Sequence, residues 1–232
     1  SPDGKQIAFT RWGDGGGVFV ANADGTGERN LIAGLNKPLS PQFSPNGKLI
    51  AFAQQKGGTL DDRQACFGSF CFTLAANPHW KLGVLDASSG ALTEPRSTDH
   101  VFAPTWGPDN KTIAYADANF GIMKATVMTD PQWLVFNQNP AVQSASWSPD
   151  GAKIAFANKV HDHWEIVTMN ADGSNAVGLT PADPLSFIAV SNVSPTWSPD
   201  SKQILFLSDR NGKWEFFAVN ADGSGLHQVL KS

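Results

Sequence analysis

What this 232-residue chain lacks narrows its function first. No run of about 18 apolar residues occurs, so nothing in it reads as a membrane-spanning helix. Charged side chains make up only 16% and the formal net charge is −4, which leaves no basic footprint for nucleic acid. There are two cysteines, Cys66 and Cys71, and His79 is the one imidazole near them in sequence, short of the four ligands of a structural zinc site. No Gly-x-Ser-x-Gly elbow is present; Gly68-Ser69 and Gly173-Ser174 fall in loop or turn contexts without the strand-to-helix setting of a nucleophile. Asp24, Asp172 and Asp222 lack the spacing of an EF-hand loop and read as acceptors for turn amides. No cofactor, metal or catalytic group is therefore expected, and no transmembrane segment.

What is present is a repeated phrase: an aromatic, then Ser-Pro-Asp-Gly or a variant, a basic residue, and Ile-Ala-Phe or its like. The turns begin at Ser1, Ser44, Gly107, Ser148 and Ser198, and the apolar triplets are Ile7-Ala8-Phe9, Ile50-Ala51-Phe52, Ile113-Ala114-Tyr115, Ile154-Ala155-Phe156 and Ile204-Leu205-Phe206. From proline to proline (Pro2, Pro45, Pro108, Pro149, Pro199) the steps are 43, 63, 41 and 50 residues. Spacings of roughly 40–50 residues are those of propeller blades, and the long step marks an insertion.

Each phrase has a physical reading. Proline presets φ for a tight turn, Asp or Asn can bond its own backbone, and glycine accepts positive φ. The apolar triplet that follows suits a strand buried between sheets. A second turn lies further on at Asn22-Ala23-Asp24-Gly25, Asn170-Ala171-Asp172-Gly173, Asn220-Ala221-Asp222-Gly223 and, more loosely, 86–90. Two turns and four strands, lettered A to D from the ring centre outward, make one blade. In the fourth repeat this predicts A near 144–147, B near 153–157, C near 164–169 and D near 176–179.

The expected fold is all-β: a β-propeller of WD-like four-stranded blades, with five repeats visible in a single domain. The blades fall at about 1–35, 36–97, 98–138, 139–181 and 182–232, with an insertion at 55–79 read as a long structureless loop. The first repeat opens at its turn with no A strand before it, while 226–230 reads as an outer strand. The expectation is an excerpt of a larger ring of six or more blades.

The phrases Ser-Pro-Asp-Gly-Lys-x-Ile-Ala-Phe and Asn-Ala-Asp-Gly-Ser, with Ser208-Asp209-Arg210-Asn211-Gly212 after the last B strand, resemble the TolB-like propeller repeats. TolB is the periplasmic component of an envelope system, and its relatives include extracytoplasmic proteins and the propeller halves of prolyl-oligopeptidase-like enzymes. The resemblance implies a periplasmic or extracellular location. TolB carries a further N-terminal domain, which this chain does not show.

The A–B and C–D turns must share one face of the ring, so the B–C loops and inter-blade crossings form the other, irregular face. Function on rigid scaffolds concentrates in such loops. The candidate partner-binding residues there are Arg11, Trp12, Arg63, Phe67, Phe70, Phe120, His161, His163 and Arg210, since aromatics and arginine anchor interfaces well. The plain alternative is that Trp12 and Phe120 cover blade edges while Arg11 and Arg210 bond neighbouring carbonyls. His161 and His163 could grip a transition metal only with a third ligand that the sequence does not offer. Trp106, Trp147 and Trp197, at matched positions, read as inner-strand core. Cys66 and Cys71 are a disulfide candidate if the compartment is oxidising, and free thiols otherwise. The expected function is a non-catalytic scaffold binding a protein partner. The alternatives are a substrate-gating propeller whose hydrolase domain lies elsewhere, or a structural subunit of a surface assembly.

Overall fold

The computed structural model describes residues 1–56, 63–67, 70–74, 79–117, 119–126, 129–135, 141–181 and 190–229; for 63–67, 70–74 and 129–135 it gives the backbone alone. Strands β1 (Gln6–Arg11), β2 (Gly17–Asn22) and β3 (Arg29–Ala33) form a first, three-stranded antiparallel sheet. The second blade is β4 (Leu39–Phe43), β5 (Leu49–Lys56), β8 (His79–Asp86) and β9 (Leu92–Thr93), and the hairpin β6 (Arg63–Phe67) with β7 (Phe70–Leu74) is inserted between β5 and β8. The third blade is β10 (Val101–Trp106), β11 (Thr112–Asp117), β12 (Gly121–Thr126) and β13 (Thr129–Val135). The fourth is β14 (Val142–Trp147), β15 (Lys153–Val160), β16 (His163–Asn170) and β17 (Val177–Gly178). The fifth is β18 (Asn192–Trp197), β19 (Gln203–Ser208), β20 (Glu215–Asn220) and β21 (His227–Gln228). Strands in each blade are hydrogen-bonded in chain order, the inner strands β4, β10, β14 and β18 neighbour one another in sequence, and the all-β propeller reading holds.

The Ile-Ala-Phe triplet explains how blades stack. A strand alternates its side chains between two faces. In β5, β11, β15 and β19 the large residues face the preceding blade, and in β5, β11 and β15 the alanines face the following one. Thus Ile50 and Phe52 pack with Val18 and Val20 of the first blade, while Ala51 and Ala53 receive Ile113 and Tyr115. Ala114 and Ala116 receive Ile154 and Phe156 in turn, and Ala155 and Ala157 receive Ile204 and Phe206. Large against small lets neighbouring sheets close without voids, and each fully buried Ile or Phe stabilises by about 1.5–3 kcal/mol. The fifth blade departs from the pattern, with Leu205 and Leu207 where the others have alanine, and Leu205 is exposed.

The turn phrase is equally regular. In the second repeat Ser44 Oγ accepts the Leu49 N–H and donates to Asn46 Oδ1, which takes the Lys48 N–H. Ser148 and Ser198 repeat this with Asp150 and Asp200. The third repeat has Gly107 in place of serine, and Thr112 compensates by bonding Asp109 through both its N–H and its hydroxyl. Glycine gives way to Asn110 and Ser201 at the left-handed position (φ 58° and 60°). Each of these reaches back to the preceding blade, Asn110 Oδ1 accepting the Asn46 N–H at 2.8 Å and Ser201 Oγ the Asp150 N–H at 3.0 Å. The strained residue thereby ties two turns together.

Two expectations are corrected. The described residues of 55–79 do not form a structureless loop, because β5 runs on to Lys56 and β6 and β7 pair as a hairpin. The cause is readable: Gly68-Ser69 is a two-residue hairpin sequence between β-forming runs. Residues 158–163 are likewise not a loop; β15 and β16 pair out to Val160 and His163, leaving only His161-Asp162 as the turn.

Candidate functional site

The two faces of the stacked blades differ in chemistry. On the turn-phrase face, Pro2, Pro45, Pro108, Pro149 and Pro199 from all five blades converge with Phe43, Trp106, Trp147 and Trp197 on a pocket of about 400 Å³. The indoles are committed to the frame: Trp106 Nε1 donates to Gln42 O at 3.0 Å and Trp197 Nε1 to Ser146 O at 3.1 Å, each reaching the preceding blade. Trp147 Nε1 donates to Gly151 O at 3.3 Å, within its own turn. These tryptophans are framework residues that also wall a cavity. The matched spacing of proline and aromatic was the sequence signal for it.

A second pocket, about 440 Å³, is lined by Ser40, Phe102, Ala103, Ala141, Val142, Gln143, Ser144 and Trp164. Its walls include the bulges of the inner strands, where Ser40, Ala103 and Ser144 take φ of 51°, 45° and 56° at matched positions. A bulge leaves one residue out of the ladder, and bulges cluster at barrel rims and functional sites. Sequence reasoning missed this feature: Ser40, Ala103 and Ser144 are all small, but small side chains alone do not mark a bulge.

On the irregular face the predicted residues divide. Arg11 is held in a bidentate pair with Glu28 (2.6 and 2.7 Å) and lies over the rings of Phe9 and Phe19. Arg210 lies 4.6 Å over Phe217, with Nε on Ser208 Oγ and Nη2 on Asn192 Oδ1. Both arginines secure their own blades. His163 is buried, its Nδ1 3.3 Å from Asp162 Oδ1 and its Nε2 3.1 Å from Glu165 Oε1. Burial disfavours its charge, but the hydrogen bonds to Glu165 and Asp162 outweigh that and raise its pKa above the ordinary histidine value.

Three further candidates lie on turns with exposed side chains, and the side chain of Arg11 is exposed as well despite its pairing. Trp12 is 59% exposed, with its ring edge fixed by Nε1 donating to Pro38 O at 3.0 Å. Phe120 is 42% exposed on a turn that Asp117 holds, its Oδ1 accepting the N–H groups of Asn119 and Phe120. His161 is exposed in the two-residue turn with φ 55°. Each sits on the B–C connection of a different blade. The side chains of Arg63, Phe67, Phe70, Cys66 and Cys71 lie outside the described residues, although their backbone register pairs Phe67 with Phe70 and Cys66 with Cys71. Among the described residues no group of three or more His, Cys, Asp or Glu is placed to hold a metal ion.

Residues 77–231 match the TolB beta propeller domain. The chain belongs to that family. Among solved structures it is similar to TolB from Acinetobacter baumannii (TM-score 0.71, 16% identity, covering 98% of this chain and 53% of that one) and to a putative TolB from Agrobacterium tumefaciens (TM-score 0.67, 20% identity, 88% and 66%). An acylaminoacyl peptidase from Pyrococcus horikoshii is also similar (TM-score 0.66, 15% identity), matching 100% of this chain and 38% of its own. At these identities the likeness is one of fold. The chain spans about half the length of the A. baumannii TolB. No curated protein matches the sequence. Among the described residues no helix is long and apolar enough to cross a membrane.

Proposed function

We propose that this TolB-family propeller is a non-catalytic scaffold that binds a protein partner on its irregular face, in the periplasm or the extracellular space. The observation that carries the reading is the pair Trp12 and Phe120: large aromatic side chains, 59% and 42% exposed, on turns that hydrogen bonds fix in place. Ordering a flexible aromatic costs free energy on binding, and a turn already fixed removes part of that cost. Aromatics of this kind are the usual anchors of protein interfaces. Arg63, Phe67 and Phe70 of the inserted hairpin extend the same surface in this reading, with His161 at its rim.

The test is photo-cross-linking in cells, with the reactive group placed in turn at Trp12, Phe120 and His161, and at Asp24 and Asp172 on the opposite face as controls. One protein captured from the first three positions and not from the controls supports the proposal, and Trp12→Ala with Phe120→Ala should weaken capture from His161. Capture from the control face alone would refute it.

A second reading is favoured by the peptidase match: a propeller gating a hydrolase domain of the same polypeptide, which the length of that relative accommodates. Hydrolysis of a fluorogenic acyl-peptide by the natural full-length protein, abolished by a serine-directed inhibitor, would select this reading over the first.

A further inference from the structure

The hairpin β6–β7 is the one sheet of the described structure that is hydrogen-bonded to no blade. Five-residue strands paired only with each other are marginal in water, because a two-stranded sheet buries little. Such a sheet also has a weakly specified register, and a slip of one residue exchanges its two faces. Something must hold this hairpin if it is to present a defined surface.

The register supplies a candidate. Phe67 pairs with Phe70 next to the two-residue connection 68–69, and the following pair is Cys66 with Cys71. In a two-residue hairpin the closing pair exchanges both backbone hydrogen bonds, so the next pair is of the non-hydrogen-bonded kind. Directly opposed residues of that kind have Cα atoms about 4.5 Å apart, inside the range a disulfide spans. We propose that Cys66 and Cys71 form a cross-strand disulfide that fixes the register of the inserted hairpin.

The consequence follows from the alternation of the strands. Arg63, Ala65, Phe67, Phe70, Phe72 and Leu74 share one face, and Gln64, Cys66, Cys71 and Thr73 share the other. The bridge occupies the polar face and keeps four bulky apolar residues together on the opposite one. Formation balances as an exchange with an oxidised disulfide carrier. One cysteine thiolate attacks the carrier, giving a mixed disulfide and one carrier thiol. The second thiolate then displaces the other carrier thiol, so the two cysteines lose two electrons and the carrier gains them.

The bridge stands without the partner-binding reading; only its effect on partner capture rests on it. The full chain, equilibrated with excess oxidised glutathione and then denatured, is treated with iodoacetamide with and without prior reduction. Trypsin releases both cysteines in the single segment Gln64–Lys81. The expected result is no alkylation before reduction, two adducts after it, and an unreduced segment lighter by about 2 Da than the dithiol form. Amide hydrogen exchange over 63–67 and 70–74 should quicken on the order of tenfold or more in Cys66→Ser/Cys71→Ser, with the blade strands unchanged. Double alkylation without reductant, disulfide-linked dimers in place of the internal bridge, or identical exchange in the variant would each overturn the proposal. A confirmed bridge with no partner captured from Trp12, Phe120 or His161 would uphold it while removing the proposed function.

Discussion

Replacing Gly83 with alanine should destabilise this propeller, against the usual sign for such a change. Gly83 lies in the middle of β8, directly opposite Phe52 of β5, and its φ is not in the left-handed region. At such a site alanine ordinarily stabilises by about 0.4–1 kcal/mol, because it narrows the unfolded ensemble. Here a Cβ on residue 83 would fall 2.5 Å from Cζ and 2.7 Å from Cε1 of Phe52. That ring is fully buried in the cluster between the first two blades, with Val18, Val20 and Leu85 around it, so it has no open space to swing into. Forcing extra volume into a packed core costs about 1–3 kcal/mol, which leaves a net loss of roughly 0.5–2 kcal/mol. For a chain of this size that lowers Tm by roughly 1–8 °C. The assay is thermal unfolding followed by far-ultraviolet circular dichroism, for Gly83→Ala alone and in a Phe52→Leu background. If ring and Cβ collide as the geometry requires, the smaller leucine side chain relieves the strain, and the two changes couple by at least about 0.5 kcal/mol. A Gly83→Ala protein with a raised Tm, or strict additivity in the cycle, would refute the packing argument.

Trp106→Phe removes the Nε1 donor to Gln42 O and should lower stability by about 0.5–1.5 kcal/mol beyond any loss of packing, read as a lower urea midpoint with an unchanged slope. Asp117→Ala deprives the Asn119 and Phe120 N–H groups of their acceptor and should cost about 1–3 kcal/mol, whereas Asp117→Asn keeps Oδ1 and should cost less. Its other carboxylate oxygen is buried without a hydrogen-bond partner, so the amide forfeits no bond there; urea unfolding of the two variants compares them. His163 has a folded-state pKa raised above its unfolded value, so its contribution is fully present below that unfolded value and is lost as pH rises through the folded one. The Tm gap between wild type and His163→Gln should therefore narrow from about pH 5.5 to about pH 8.5, and a gap that widens would contradict the assignment.

The frame was legible because its rules are periodic and local. Ser-x-Asp with a following glycine states where a turn closes, since the serine and aspartate oxygens take the amides that the turn frees, as at Ser148 and Asp150. The triplet Ile-Ala-Phe states more than strand: with period two it places bulk on one face and a methyl on the other, which is the stacking of blade on blade. Departures from the phrase were legible as well, once read as exchanges. Thr112 makes good what Gly107 lacks, and Asn110 and Ser201 take the left-handed conformation while accepting a hydrogen bond from the turn of the preceding blade. Pairing beyond the triplet was less visible, because Lys159 and Val160 show no apolar alternation to mark β15 as continuing to the turn. The bulges at Ser40, Ala103, Ser144 and Ser194 fall on small residues, three of them serine, but small residues are frequent along the chain and do not by themselves mark a backbone excursion that only the ladder defines.

The candidate surface was legible by residue type and not by role, and the reason is register. Arginine beside aromatics reads as an interface anchor, yet Arg11 lies two residues beyond Phe9 on one strand, and Phe9 pairs with Phe19 across the ladder. Period two puts all three on one face, so the guanidinium finds its aromatic partners at home, and Glu28 completes the site. Trp12 is one residue further on, past the end of the ladder; no strand partner covers it, and the carbonyl of Pro38 fixes its edge while leaving its face in water. The two neighbours differ in their contacts because one is inside the alternation and the other is beyond it. Applied along the chain, the same distinction separates His163, which pairs with Val160 and is buried, from His161 in the adjoining turn, which is exposed. Arg11 and His163, inside a ladder, meet partners on their own blades, whereas Trp12 and His161, just past one, keep exposed side chains on turns.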